Sequence, residues 1–231
     1  MKNIVIATIK EWNINNYFEL KKELENEYSL YLLTNKDELS FKNIEKINPK
    51  YIFFPHWSWI IPENIYKNYE CILFHMTDLP YGRGGSPLQN LIINKAYNTK
   101  ISAIKVSKEL DEGDVYLKED FDISKGSANE IYINASKLIF KKLIPNILRQ
   151  NPTPVRQEGD VVNFKRRTPE QSNIKMLNDV SIANLYDFIR MLDAPSYPKA
   201  YIELDNLKIE LSEVIIKDGK LEGRFEVSKD E

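Results

Sequence analysis

Phe74-His75-Met76-Thr77-Asp78-Leu79-Pro80-Tyr81-Gly82-Arg83-Gly84-Gly85-Ser86-Pro87 is the densest stretch of this 231-residue sequence. An apolar strand, Glu70 to Phe74, runs out at His75, and a loop follows. Pro87 then opens a helix to Tyr97, with Leu88, Leu91, Ile92 and Ala96 on one side. Proline suits a first helical turn, where its missing N–H leaves nothing unbonded. His75 thus stands at the carboxyl end of a strand, where open α/β sheets place their ligand crevice. The chain has only eight glycines, and Gly82, Gly84 and Gly85 sit together here. Such a cluster points to positive φ or to a close backbone approach.

Outward from this loop the chain alternates. Asn3 to Thr8, Tyr28 to Leu33 and Tyr51 to Phe54 read as short apolar strands, and Trp12 to Glu27 has helical spacing. Lys100 to Val106 and Val115 to Asp122 read as further strands. Ser127 to Arg149 is a long amphipathic helix, with Ser127 and Glu130 as a capping box. Strands alternating with helices predict an α/β fold, Rossmann-like, with a mostly parallel sheet. No G-x-G-x-x-G follows the first strand, so the dinucleotide fingerprint is absent. Asn151-Pro152-Thr153-Pro154 breaks the pattern. The expected organisation is an α/β domain over 1–150 and a smaller β-rich C-terminal region over 151–231. That region holds a helix near Ser181 to Leu192, the turn-rich Asp193 to Pro198, and two β-like runs, Ala200 to Val214 and Lys220 to Val227. The last charged residues are expected to fray.

Composition narrows the function. Lys and Arg number 32 against 34 Asp and Glu, a net charge of −2. A general nucleic-acid binder should show a basic excess, so none is expected as a partner. No run approaches the roughly 18 apolar residues of a membrane span. The amino terminus is too briefly apolar for a signal peptide, so a cytoplasmic protein is expected. One cysteine, Cys71, forms no internal disulfide, and two histidines, His56 and His75, offer no clustered metal-ligand pattern.

A second motif, Glu109-Leu110-Asp111-Glu112-Gly113-Asp114-Val115-Tyr116, lies between two strands. A loop carboxylate near a histidine can fix the ring's tautomer and stabilise its protonated form. By residue type alone, a histidine at a strand end is more often a structural donor and an Asp in such a turn more often an ordinary turn residue.

His75, Leu79-Pro80, Arg83-Gly84 and Pro87, followed by Leu110-Asp111-x-Gly113, together resemble the two motifs of the folate-dependent formyltransferases, in order and spacing. The resemblance implies His75 and Asp111 as catalytic residues and 10-formyltetrahydrofolate as formyl donor. It places the pterin against Trp59, Ile60 and Ile61 and against Val106, Lys108, Glu109 and Leu110. The plainer reading makes Trp57, Trp59, Ile60 and Ile61 core. The family pattern carries an Asn two residues before the histidine, whose amide helps hold the formyl oxygen. Leu73 stands there and cannot donate; His56, Ser58 and Thr77 are the nearest polar groups by sequence.

The tail, Arg156-Gln157-Glu158-Gly159, Phe164 to Glu170 and Arg190 to Tyr201, resembles formyltransferases acting on nucleotide-linked 4-amino sugars. The function this implies is a sugar N-formyltransferase of surface glycan biosynthesis. Its acceptor would be a UDP- or dTDP-linked amino-dideoxy sugar. Arg83 and Gly84 in the loop, and the Lys165-Arg166-Arg167 cluster, would hold that acceptor. Guanidinium forks suit a diphosphate, although such a run also reads as solvated charge. The chain looks short for a methionyl-tRNA formyltransferase, whose C-terminal domain is larger. The alternatives are another formyltransferase, a formyltetrahydrofolate hydrolase, or an inactive folate- or nucleotide-sugar-binding protein. The β-like tail is a candidate homodimer interface.

Overall fold

A computed structural model of the chain describes residues 1–195 and 197–229. Ser196, within the turn-rich stretch, and the last two residues, within the expected frayed end, lie outside the described residues.

The elements run β1 (Lys2–Ala7), α1 (Glu11–Glu23), β2 (Tyr28–Leu33), α2 (Phe41–Ile47), β3 (Tyr51–Phe54), α3 (Glu63–Tyr66), β4 (Cys71–His75), β5 (Tyr81–Gly84), α4 (Pro87–Ile93), β6 (Asn98–Lys105) and β7 (Val115–Asp122). Then come α5 (Ala128–Leu138), a π-helical turn (Ile139–Leu143), α6 (Ile144–Gln150), β8 (Val162–Phe164), α7 (Ile182–Arg190), β9 (Ala200–Leu204), β10 (Leu207–Lys217) and β11 (Lys220–Lys229). Among the described residues no helix is long and apolar enough to cross a membrane.

The chain divides into two compact units interleaved in sequence: Met1–Arg83 with Lys100–Phe121 and Ile133–Val162, and Gly84–Thr99 with Asp122–Tyr132 and Asn163–Glu231. In the first, a six-stranded sheet runs β2-β1-β3-β4-β6-β7. β2, β1, β3 and β4 pair in parallel, whereas β4 and β6 are antiparallel. The mostly parallel α/β fold is as the alternation predicts. β1 shows why both faces of the sheet are covered. Ile4 and Ile6 enter a core with Tyr17, Leu20 and Leu24 of α1 and Phe140, Ile144 and Ile147 beyond α5. Val5 and Ala7 enter another, with Ile44 of α2 and Ile65 of α3. A strand buried on both sides reads as a continuous apolar run, as Ile-Val-Ile-Ala does.

The long predicted helix is instead α5, a π-turn and α6. Pro145 lacks an N–H and cannot continue the preceding ladder, and the extra residue of the π-turn absorbs the break. The capping box forms as expected: Ser127 N donates to Glu130 Oε2 at 2.8 Å, and Glu130 N donates to Ser127 Oγ at 3.3 Å.

In the second unit β9, β10 and β11 form an antiparallel sheet, so the predicted run Ala200 to Val214 is two strands. Asp205 at φ 51° makes the turn between them. Arg190 of α7 is buried at 1 % exposure, and its Nε donates to Asp187 at 2.7 Å. Its Nη1 donates to the Ile123 and Gly126 carbonyls at 3.0 Å each.

Candidate active site

β4 carries His75 to its carboxyl end, where the ring is buried. The loop beyond is held by side chains. Ser102 Oγ donates to the Thr77 carbonyl at 2.7 Å and accepts from Leu79 N at 3.4 Å. The Lys118 ammonium donates to the Asp78 carboxylate and the Leu79 carbonyl. The Leu79–Pro80 peptide is cis, and Tyr81 N closes a turn onto the Asp78 carbonyl at 3.1 Å.

This turn brings the Gly82 carbonyl to 2.8 Å from His75 Nε2. A carbonyl can only accept, so Nε2 carries the hydrogen. The buried Thr77 hydroxyl donates to the same carbonyl at 3.3 Å. On the ring's other side, Nδ1 is 3.5 Å from Asp111 Oδ1. With an acceptor on each side, only imidazolium donates both ways. The structure thus brings together the two residues the motifs single out, in the geometry of an oriented, chargeable imidazole.

Asp111 is buried with a left-handed φ of 56°, which Asp tolerates better than most residues. Its loop joins β6 to β7 tightly. A Cβ on Gly113 would lie 1.7 Å from the Lys105 carbonyl oxygen, so any other residue here forces the backbone to shift. Arg83 is engaged here too. Its side chain is 13 % exposed, with Nη1 2.9 Å from Glu112 and its other nitrogens on Gln157. The guanidinium ties the loop down. Nothing in the residue type of Gln157 singles it out.

Leu73, in place of the family's Asn, packs against Leu79, Ile104 and Val115. Of the three polar candidates for the missing amide, His56 and Ser58 are exposed, and Thr77 is buried beside His75.

The two segments expected to line the donor share an apolar cluster. Val106 is buried in the same apolar cluster as Trp57 and Ile61. Trp57 packs edge-on against Trp59, ring centroids 4.9 Å apart, and its indole Nε1 is buried without a partner. An apolar wall with an unsatisfied N–H fits a flat heterocycle that offers an acceptor. Ile60, Lys108, Glu109 and Leu110 are exposed.

In the second unit, Lys165 and Arg166 are exposed, whereas Arg167 is half-buried. The Arg167 guanidinium donates to the Gln171 carbonyl and lies 5.8 Å from the Phe188 ring centroid. Gly84, at φ 101°, lets the backbone pass: a Cβ there would be 2.4 Å from the Phe164 carbonyl oxygen.

Comparison with known proteins bears on all of this. A family model described as methionyl-tRNA formyltransferase, C-terminal domain, matches residues 169–228. A solved methionyl-tRNA formyltransferase from Clostridium thermocellum is 50 % identical, with a TM-score of 0.95, covering 99 % of this chain and 100 % of that one. Among curated proteins, methionyl-tRNA formyltransferase from Rickettsia massiliae is 32 % identical over 57 % of this chain and 45 % of its own length. The chain thus spans about half the length of the first curated relatives it matches. More distant fold neighbours include HypX from Aquifex aeolicus in complex with tetrahydrofolic acid, 19 % identical over 94 % of this chain and 39 % of that one, TM-score 0.72. A sugar N-formyltransferase from Shewanella is 15 % identical over 97 % and 96 %, TM-score 0.71.

These likenesses correct the expected acceptor. The nucleotide-linked amino sugar, the role in surface glycan biosynthesis and the exclusion of a nucleic-acid partner are overturned by the full-length match at 50 % identity. The argument from length fails as well, since residues 169–228 match the C-terminal domain considered too large for this chain. Net charge misled because it averages the whole surface. The formyltransferase fold stands, and the chain belongs to the formyltransferase superfamily.

Proposed function

We propose that this chain transfers a formyl group from 10-formyltetrahydrofolate to the amine of the methionyl group on tRNA. The likeness to the Clostridium thermocellum methionyl-tRNA formyltransferase over essentially the whole of both chains carries this reading.

When bound, the folate supplies a formyl carbon activated by attachment to nitrogen. Attack by a neutral amine places negative charge on the formyl oxygen, and a preorganised donor lowers that barrier; the bond from the formyl carbon to the folate nitrogen then breaks, and that nitrogen leaves with the proton the amine gives up. His75 as imidazolium is such a donor. Asp111, 3.5 Å from Nδ1, orients the ring and balances its charge. The Gly82 carbonyl now accepts from Nε2, so the reacting group must take that carbonyl's place at the ring. Trp57, Trp59, Ile61 and Val106 give the pterin an apolar wall. Leu73 supplies no amide, which leaves Thr77, hydrogen-bonded beside His75, as the neighbouring donor.

The test is release of tetrahydrofolate by the purified chain with methionyl-tRNA present and absent. Release that depends on methionyl-tRNA is expected. A folded His75→Asn variant should lose about 10²- to 10³-fold in rate, the usual contribution of one preorganised donor to the developing oxyanion. Near-parental turnover by that variant would remove His75 from the mechanism.

A further inference from the structure

We infer that Gln157 is the positioning residue that sets the place of Asp111, and through it the orientation of His75. Gln157 follows Val155, which is bridged to Val115 by Val115 N→Val155 O at 2.7 Å and Val155 N→Val115 O at 2.9 Å. The carboxamide is thereby brought beside the 111–113 loop. Its Nε2 donates to the carbonyls of both Asp111 and Gly113, each at 2.8 Å. Its Oε1 accepts from Arg83 Nε at 3.1 Å and Arg83 Nη2 at 2.9 Å. The remaining Arg83 nitrogen, Nη1, pairs with Glu112 at 2.9 Å.

Every hydrogen-bonding capacity of the amide is used: two N–H donors on two carbonyls, and one oxygen on two guanidinium N–H groups. No other side chain of this shape offers two donors on one side and an acceptor on the other. Glutamate has no donor and leucine has neither function. The two carbonyls held are those of Asp111 itself and of the residue two beyond it. Asp111 has a left-handed φ of 56°, a backbone state that its surroundings must maintain. The Asp111–His75 pair is long at 3.5 Å, so a small loop movement uncouples it. Gln157 acts through the backbone of the loop, by its bonds to the Asp111 and Gly113 carbonyls.

As a statement about catalysis this rests on the proposed formyl transfer, so the test carries a readout independent of turnover. The chain has two histidines, and the imidazole ¹⁵N signals of His75 are assigned by a His56→Gln variant. Gln157→Glu keeps the shape and the Arg83 contact but loses both donated bonds. Gln157→Ala adds no charge and serves if the first does not fold. In a folded variant, the His75 Nδ1 signal at fixed pH should move toward its position in Asp111→Asn. The kcat should fall about 10- to 100-fold with KM for either substrate within about twofold, as a misplacement near 1 Å would produce. A folded variant with parental kcat and an unmoved Nδ1 signal overturns the inference. Failure of both variants to fold also overturns it, in favour of a purely structural role. If the Nδ1 signal moves but the parent chain formylates no acceptor, the positioning role stands and the formyl-transfer reading fails.

Discussion

Gly113→Ala tests how tightly the Asp111 loop is fitted. The added Cβ would lie 1.7 Å from the Lys105 carbonyl oxygen. Ordinary carbon–oxygen contacts begin near about 3.3 Å, so roughly 1.5 Å of separation must open. Lys105 cannot supply it cheaply, because it belongs to β6 and pairs with Ile72 of β4. The 111–113 loop must move instead. A shift of that size breaks the bonds from Gln157 to the Asp111 and Gly113 carbonyls, now 2.8 Å each, and carries Asp111 away from His75. Overpacking of this kind costs about 1–3 kcal/mol in stability. Displacing a positioning group by about 1 Å costs on the order of 100-fold in rate. Thermal unfolding and steady-state kinetics measure the two separately. The expected outcome is a folded, moderately destabilised protein with kcat down about 100-fold and KM little changed. A folded Gly113→Ala protein with parental kcat would refute the claim that the loop's position controls turnover.

Three further outcomes follow from the same geometry. Asp187→Asn leaves the buried Arg190 without its carboxylate and should cost about 3–5 kcal/mol in urea unfolding. Loss under about 1 kcal/mol would show that the pair is not coupled to folding. Burial alone would raise the Asp187 carboxyl, but hydrogen bonds from Lys95, Tyr97 and Arg190 outweigh it and hold the group below the usual carboxylate range. The stability this supplies is complete above the unfolded pKa of about 4 and drains away as pH falls through the lower folded value. A stability profile flat from pH 5 to pH 2, or one in which Asp187→Asn loses as much as the parent, contradicts this. Cys71 is fully buried, and burial beside Glu70 pushes its thiol up to about 12. A disulfide reagent should leave it untouched in the folded protein and titrate one thiol in denaturant; rapid labelling under native conditions would place it elsewhere.

Much of the fold was legible because it rests on local signals. Ile4 to Ala7 reads as a strand because both its faces are buried, and Pro87 marks a helix start because proline suits no other helical turn as well. Less local features were not readable. β5, Tyr-Gly-Arg-Gly, has no apolar alternation, and its pairing with β8 depends on backbone passing at Gly84. The antiparallel placement of β6 beside β4 is a matter of connection, which residue pattern does not encode. At the site, His75 and Asp111 were legible through motif spacing. Gln157 was not, since its role consists of contacts with residues distant in sequence. The expected acceptor rested on the likeness of the tail to sugar formyltransferases, which the match at 50 % identity outweighs. A run of cations looks alike whether it binds diphosphate, faces solvent or, as Arg167 does, stacks on its own unit.

The most direct measurement is mass spectrometry of the acceptor after incubation with 10-formyltetrahydrofolate. Methionyl-tRNA is digested to release its amino acid, and UDP- and dTDP-linked amino sugars are run beside it. The account predicts formylmethionine from the tRNA and no formyl adduct on any sugar. A formylated sugar with unmodified methionine would contradict it.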